Sequence, residues 1–397
     1  MSVSPAAAAI RPVEERPISR SRILLMIDPL LLLAALGLVA CSLVTLRVAT
    51  RSSGLHYVDR QATYAAIGLL AALLLSQIDY SRLREYRYVL YGLMIVLNIV
   101  VLGMPAIQNA HRWIPLPFFQ LQSSEFGKVL LIVSLSAFLV DRTRRLHERR
   151  TTARIMLLAL VPALIVIPQP DLGTALVYVV IGFTILFVSG TPWKQLIALI
   201  ALGAVAIAIV LTGAPALGVH VLKGYQQQRL TTFLNPPKAC TPKDTTCYQL
   251  NESLIAIGSG QKTGRGTLGA TQTELNFLPA PSTDFIFAAL GETYGFVGAA
   301  LVLSLYALVI WRALRIMTIA KNLYGTAIAG GVLAMLMFQV FVSVGMTIGI
   351  MPTTGVPLPL MSYGGSSVVV TFIAIGLLQS IHVQARLANA MKNRGLV

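Results

Sequence analysis

The stretch ILLMIDPLLLLAALGLVACSLVTLRVA, Ile23 to Ala49, decides how the chain is read. It exceeds the roughly 20 apolar residues that carry a helix across about 30 Å of hydrocarbon. It is too long for the core of a signal peptide, and no small-residue cleavage site follows it, so it is expected to stay as a membrane helix. Composition extends that reading to the whole chain: 56% of residues are hydrophobic and 12% charged, the balance of a polytopic membrane protein. One or two ordinary soluble domains are excluded.

Similar apolar runs recur, and the pattern predicts an all-α protein with ten spans, at about 23–49, 63–80, 88–105, 126–140, 155–169, 172–190, 196–213, 285–311, 326–350 and 368–384. Residues 1–22 lack helical periodicity and are expected to be a disordered cytoplasmic tail, leaving 23–397 as one membrane unit. The formal net charge of +16 does not point to nucleic acid, because the basic residues cluster in short segments between apolar runs. There they set orientation and meet anionic membrane lipid. DYSRLREYRY (79–88), DRTRRLHERRTTAR (141–154), WRALRIMTIAKN (311–322) and the end of the chain fall on one side of a ten-span layout, so both termini are expected in the cytoplasm.

The same layout puts the polar segment 214–283 outside the membrane, with 105–125, 352–367 and the PQPDLG reversal (168–173). Prolines, glycines and polar groups gather on that face, so chemistry is sought there. Irregular backbone at membrane depth is tolerated only in protein or beside a wet cavity, so GIMPTTGVPLPLMSYGGSS (349–367) is expected to line a cleft. Cys240 and Cys247 lie close together in the outer loop, an oxidising location that predicts a disulfide; free thiols are the plainer alternative.

Within LPAPSTDFIFAALGETYGFVG (278–298) a single carboxylate, Asp284, sits between a proline-punctuated loop and an apolar run. Ser282, Thr283 and Asp284 are all good helix caps, and capping alone would account for one of them. A charge at a membrane boundary is otherwise a functional candidate. On the same face stand Arg112 and Trp113, which could serve as interfacial anchors, and Glu125 and Lys128, whose i,i+3 spacing lets them pair inside the bundle or line a polar cavity. Lys223, Arg229, Lys262 and Arg265 are outward cations that run against the orientation bias and suit a phosphate-bearing ligand, or else are solvated surface charge. There is no GxxxxGK[ST] loop, no HExxH and no strand-flanked GxGxxG. The energy of any reaction therefore has to arrive in the substrate.

The motifs RWI (112–114), SSEFGKV (123–129), PQPDLGTAL (168–176), YQL with SLIAIGSG (248–260), FLPAPSTDFIFAALGE (277–292) and GVPLPLMSYGGSS (355–367) resemble the SEDS (shape, elongation, division and sporulation) glycosyltransferases of bacterial cell-wall synthesis. The resemblance runs from about residue 24 to residue 386, and GATQTELNFLP (269–279) is closer to the elongation branch than to the division branch. It departs at Ser343, at Gln261 and at the Cys240–Cys247 insertion. The resemblance implies a ten-helix, multi-pass enzyme of the bacterial plasma membrane that polymerises lipid II, the undecaprenyl-pyrophosphate-linked disaccharide peptide, on its extracytoplasmic face. A class B penicillin-binding protein is the implied partner. Asp284 falls on the family's catalytic acid, and Arg112, Trp113, Glu125, Lys128, Gln169, Asp171, Ser362 and Tyr363 fall on motif positions; Arg229, Lys262 and Arg265 join them as cations for the diphosphate. No obligatory cofactor is implied, and a divalent cation is allowed. The competing roles are a lipid II flippase, a division-specific polymerase, and a scaffold without chemistry of its own.

Overall fold

A computed structural model describes residues 26–51, 56–105, 112–115, 120–210, 224, 229, 232–233 and 245–393. The expected tail, Lys223 and Cys240 lie outside the described residues.

Within the described residues a helix overlaps each of the ten sequence-predicted spans. In chain order these are α1 (Pro29–Ala49), α2 (Tyr57–Ser76), α3 (Arg87–Val100), α4 (Ser123–Val140), α5 (Arg149–Val166), α6 (Leu172–Val188), α7 (Trp193–Ala208), α10 (Ile286–Ile319), α11 (Leu323–Thr347) and α12 (Gly365–Asn393). Between α7 and α10 come α8 (Thr245–Gly260) and the single turn α9 (Thr271–Glu274). Six of the described helices, α1, α2, α4, α10, α11 and α12, are long and apolar enough to cross a bilayer, and α3, α6 and α7 are shorter apolar helices. The protein is thus a multi-pass helical membrane protein.

The boundaries moved where charge and polarity misled the apolar count. α4 begins at Ser123 and takes Glu125 and Lys128 into its first turns. α12 runs to Asn393, well past 384, because Ala, Gln, Met, Leu and Lys hold a helix beyond the apolar stretch. The polar segment 214–283 is not a loop throughout: α8 lies within it and packs along α10, with Ser253 donating to the Thr347 carbonyl at the end of α11 (2.8 Å).

α4, α11 and α12 are buried along most of their length and make the centre. α12 lies along α2, α1 along α10, α5 along α6, and α11 touches α4, α6 and α10. Small residues set the closest approach: a Cβ added at Gly376 of α12 would come 2.7 Å from the Ala72 Cα of α2. Close backbone contact of this kind is how helices gain packing energy where lipid supplies no hydrophobic drive. The outer helices present apolar side chains to the surround; on α7 only Leu196 is buried, while Ile197, Ile200, Leu202 and Val205 are exposed.

One end of the bundle is closed by charge. Asp28 caps α1 and forms a buried ion pair with Arg312 of α10 (Nε to Oδ2 2.7 Å), while the Gln379 amide of α12 donates to the Asp28 carbonyl (2.9 Å). The N-termini of α4, α6, α10 and α12 converge on the opposite end, where the irregular segment 351–364 is held.

Candidate active site

Asp284 sits in the turn before α10. The first question is whether it merely caps that helix. It does not: the capping position is Phe285, and no side chain bonds the helix N-terminus. The turn is closed by backbone instead, with Thr283 and Phe285 N–H groups donating to the Ala280 carbonyl. The capping expectation for Ser282, Thr283 or Asp284 is therefore overturned, and the carboxylate is not spent on the helix N-terminus.

The irregular segment 351–364 is stitched to this turn. Tyr363 N–H donates to the Ser282 carbonyl (2.8 Å), and the Ser362 hydroxyl donates to the Thr283 carbonyl (2.7 Å) while accepting from Leu358 N–H (2.9 Å). From below, the Gln61 amide of α2 donates to the Ser362 carbonyl (3.1 Å), and the Ser42 hydroxyl of α1 donates to the Met361 carbonyl (2.6 Å). These bonds satisfy an otherwise orphaned backbone inside the bundle. They bring Gly355, at φ 73°, close enough that an added Cβ would lie 3.6 Å from the Asp284 Oδ2.

Asp284 is partly exposed, yet protein surrounds it densely enough that burial pushes its carboxyl above the usual range. The Arg229 and Arg112 guanidiniums pull it back down, and Asp171 adds a smaller upward push. The site thus sets two arginines and one carboxylate against each other, the electrostatics of a base beside an anion-binding locus. Among the described residues no group of three or more His, Cys, Asp or Glu side chains forms a metal site.

Arg112 is oriented from behind. Its Nε donates to the Gln169 carbonyl (2.8 Å), and the buried Gln169 amide donates in turn to the Asn98 carbonyl (2.8 Å). Trp113, half-buried, opens a two-stranded hairpin, β1 (Trp113–Pro115) and β2 (Gln120–Gln122), in the register Trp113 opposite Gln122. The hairpin is pinned to α12, since the Ser366 hydroxyl donates to the Gln120 carbonyl (2.8 Å) and accepts from Gln122 N–H (2.9 Å).

The other residues expected at the substrate make the following contacts. Glu125 and Lys128 pair with each other at 2.6 Å, each 1% exposed, so they form an internal ion pair rather than the lining of an open cavity. Asp171 is buried, caps α6 through Thr174 N–H (3.2 Å) and accepts from the Ser124 hydroxyl (3.0 Å). Gln169 and Ser362 are buried in the bonds described above. Tyr363 stacks edge-on against Tyr57 with centroids 4.5 Å apart. Lys262 and Arg265 are exposed in the loop after α8. Cys247 is disulfide-bonded, Cys41 is a free thiol, and Cys240 lies outside the described residues.

Sequence reasoning missed Glu292. It is fully buried and accepts from Gln272 N–H (2.8 Å), Thr273 N–H (2.9 Å) and the Thr273 hydroxyl (2.6 Å), fixing the start of α9 and the loop that leads to Asp284. The signal was available: an acid eight residues into an apolar run has to find donors.

The FtsW/RodA/SpoVE cell-cycle protein family model matches residues 23–387, and the chain belongs to this family, the SEDS proteins. It is similar to the peptidoglycan glycosyltransferase MrdB of Escherichia coli strain K12, 35% identical over 362 residues that cover 91% of this chain and 95% of the relative. It is similar also to a probable peptidoglycan glycosyltransferase FtsW of Thioalkalivibrio sulfidiphilus, 37% identical over 361 residues, covering 89% and 87%. Among solved structures, a chain of the work "Structural coordination of polymerization and crosslinking by a peptidoglycan synthase complex" superposes with TM-score 0.75 at 30% identity, covering 90% of this chain and 98% of that one. The rod-shape-determining protein RodA of Thermus thermophilus gives TM-score 0.64 at 27% identity, covering 90% and 96%.

Proposed function

We propose that this protein is a peptidoglycan glycosyltransferase that polymerises lipid II by an inverting displacement, with Asp284 as general base. The observation that carries the reading is a carboxylate not spent on its own helix, raised by burial and drawn back down by the charges of Arg229 and Arg112. A relative at 35% identity bears the name peptidoglycan glycosyltransferase and one at 37% is named a probable peptidoglycan glycosyltransferase, which supports the reaction class.

The chemistry follows from these groups. Asp284 takes the proton of the acceptor sugar's 4-hydroxyl as that oxygen attacks the anomeric carbon of the donor. The α-linked glycosyl–phosphate bond breaks, a β-1,4 bond forms, and the undecaprenyl pyrophosphate leaves with the electron pair. A diphosphate is a good leaving group, so cations suffice where a glycosidase needs a second, protonating carboxyl. Arg112 and Arg229 supply that charge at the cleft. Gln169, Asp171, Glu125, Lys128 and Ser362 then act indirectly, holding Arg112, the start of α4 and the cleft floor in place.

In the membrane, ten crossings with both termini cytoplasmic put Asp284 on the extracytoplasmic face; the basic connections at the opposite end of the bundle support that orientation. A class B penicillin-binding protein is the expected partner, in line with the polymerization and crosslinking complex to which the fold is similar. The elongation role rests on GATQTELNFLP and on relatives named MrdB and RodA, at 35% and 34% identity.

The test is Asp284→Asn, assayed as purified protein with lipid II. Loss of glycan formation with an unchanged folded yield and retained partner binding is expected; a variant that still polymerises sinks the assignment and leaves flippase or scaffold roles standing.

A further inference from the structure

At the end of the bundle opposite Asp284 lies a cavity of about 830 Å3. It is formed by the α2–α3 connection with the start of α3, the α4–α5 connection (141–148) and the first turns of α5. Seven arginines line it against two carboxylates, Asp141 and Glu148, and seven positive charges less two negative leave a formal +5. The catalytic reading uses none of these groups. α4 has 18 residues, so its C-terminal end at the cavity lies roughly 27 Å from its start beside the active site, close to one hydrocarbon thickness.

Three of the arginines are already engaged. Arg84 and Arg87 both pair with Asp141, at 2.7 and 3.1 Å, and Arg142 Nη1 donates to the Phe138 carbonyl (3.3 Å). Arg144, Arg145, Arg150 and Arg154 have no ion pair among the described residues, although Glu148 is adjacent. Four guanidiniums aimed at one space repel one another unless an anion joins them, and their forked donors match phosphate oxygens. The rim then decides the source of the phosphate. Beside Arg87 the side chains of Tyr88 and Val89 are each 66% exposed, and Leu157, one turn on from Arg154, is 58% exposed. Exposed apolar side chains thus follow directly on cavity arginines along α3 and α5, an arrangement suited to a headgroup in the cavity with its acyl chains along the helices.

We propose that this cavity is a binding site for the phosphodiester of an anionic phospholipid headgroup, held by Arg144, Arg145, Arg150 and Arg154. The inference does not depend on the glycosyltransferase reading, since binding is measured without turnover. Full-length protein is placed in phosphatidylcholine nanodiscs containing a small fraction of cardiolipin or phosphatidylglycerol, and retained lipid is read by native mass spectrometry. Arg144→Gln/Arg145→Gln/Arg150→Gln is expected to lose affinity for the anionic lipid by well over a hundredfold, beyond the factor of about five per cation that surface attraction alone supplies. Arg315→Gln/Lys321→Gln, exposed cations of the same face outside the cavity, is the control and should lose no more than about fivefold per cation removed. Equal loss per cation in both variants means general surface attraction and overturns the site. Saturation by inorganic phosphate in detergent, with no preference for lipid, overturns the lipid as occupant. Unchanged binding in the triple variant overturns the proposal outright.

Discussion

Asp284 shows how one carboxyl can be kept reactive at a cost in stability. Its carboxyl is raised in the folded protein, above its value in the unfolded chain, chiefly by burial. The folded state therefore holds the proton more tightly, and the stabilisation this brings is present at acid pH and is lost as pH rises through the raised value. At neutral pH the ionised group is a burden on the fold. Asp284→Asn is accordingly expected to melt no lower than the parent at neutral pH, with the difference vanishing in acid; differential scanning fluorimetry at several pH values checks this. Polymerisation should decline on the acid side at a pH higher than an ordinary carboxylate would give, since the base has to be unprotonated. The buried pair behaves differently. Removing Lys128 alone leaves Glu125, 1% exposed, without its cation, and Lys128→Met should cost about 3–5 kcal/mol in unfolding measurements, whereas Glu125→Gln combined with Lys128→Met should recover much of that loss. Additive losses would mean the two charges are not coupled.

At the scale of elements, α10 is two helices joined at Gly295, whose φ of 62° and ψ of −158° break the ladder. The break admits the loop after α8: Phe296 N–H donates to the Gln261 carbonyl (2.8 Å) and Val297 N–H to the Lys262 carbonyl (3.1 Å), while Arg265 N–H donates to the Glu292 carbonyl (2.9 Å). The groups freed by the kink are thus repaid by a neighbouring strand of backbone. An added Cβ at Gly295 would meet the Gly264 nitrogen at 2.3 Å, so Gly295→Ala forces this strap away. A loss of at least 1–3 kcal/mol is expected from the backbone strain alone. Because the strap and Glu292 together hold the loop leading to Asp284, turnover should fall more than stability predicts. Glu292→Ala, which strands three donors in the interior, should cost roughly 1–3 kcal/mol and raise the protease sensitivity of 261–276, read by limited proteolysis.

Over the whole molecule, the two ends of the bundle do different work. One end holds the cleft; the other is locked by Asp28, which joins α1, α10 and α12 through Arg312 and Gln379. Asp28→Asn leaves Arg312 buried without its counter-charge and should destabilise the protein by about 3–5 kcal/mol. Being a bilayer away from Asp284, it should leave the apparent KM for lipid II unchanged in whatever fraction remains folded. A changed KM at full folding would mean that the two ends are coupled through α1 or α10.

Much was legible before any coordinates. Runs of apolar residues marked the apolar helices because the bilayer demands a fixed length of uncharged chain, and Asp284, Arg112 and the irregular 355–364 segment stood out because a polar group or broken backbone there needs a reason. α8 was not legible: its Asn251, Glu252 and Ser253 read as loop, and it is helical because it lies against α10 and the end of α11. Nor could spacing alone decide whether Glu125 and Lys128 met each other or a ligand, since i,i+3 neighbours can do either. What the chain's own letters determined was the hydrophobic periodicity, and with it the membrane and the ends at which charge collects. Which of those charges face one another, which are sealed by partners hundreds of residues away, and which remain open to a substrate was decided only when the helices packed, because burial and counter-charge are properties of neighbours in space.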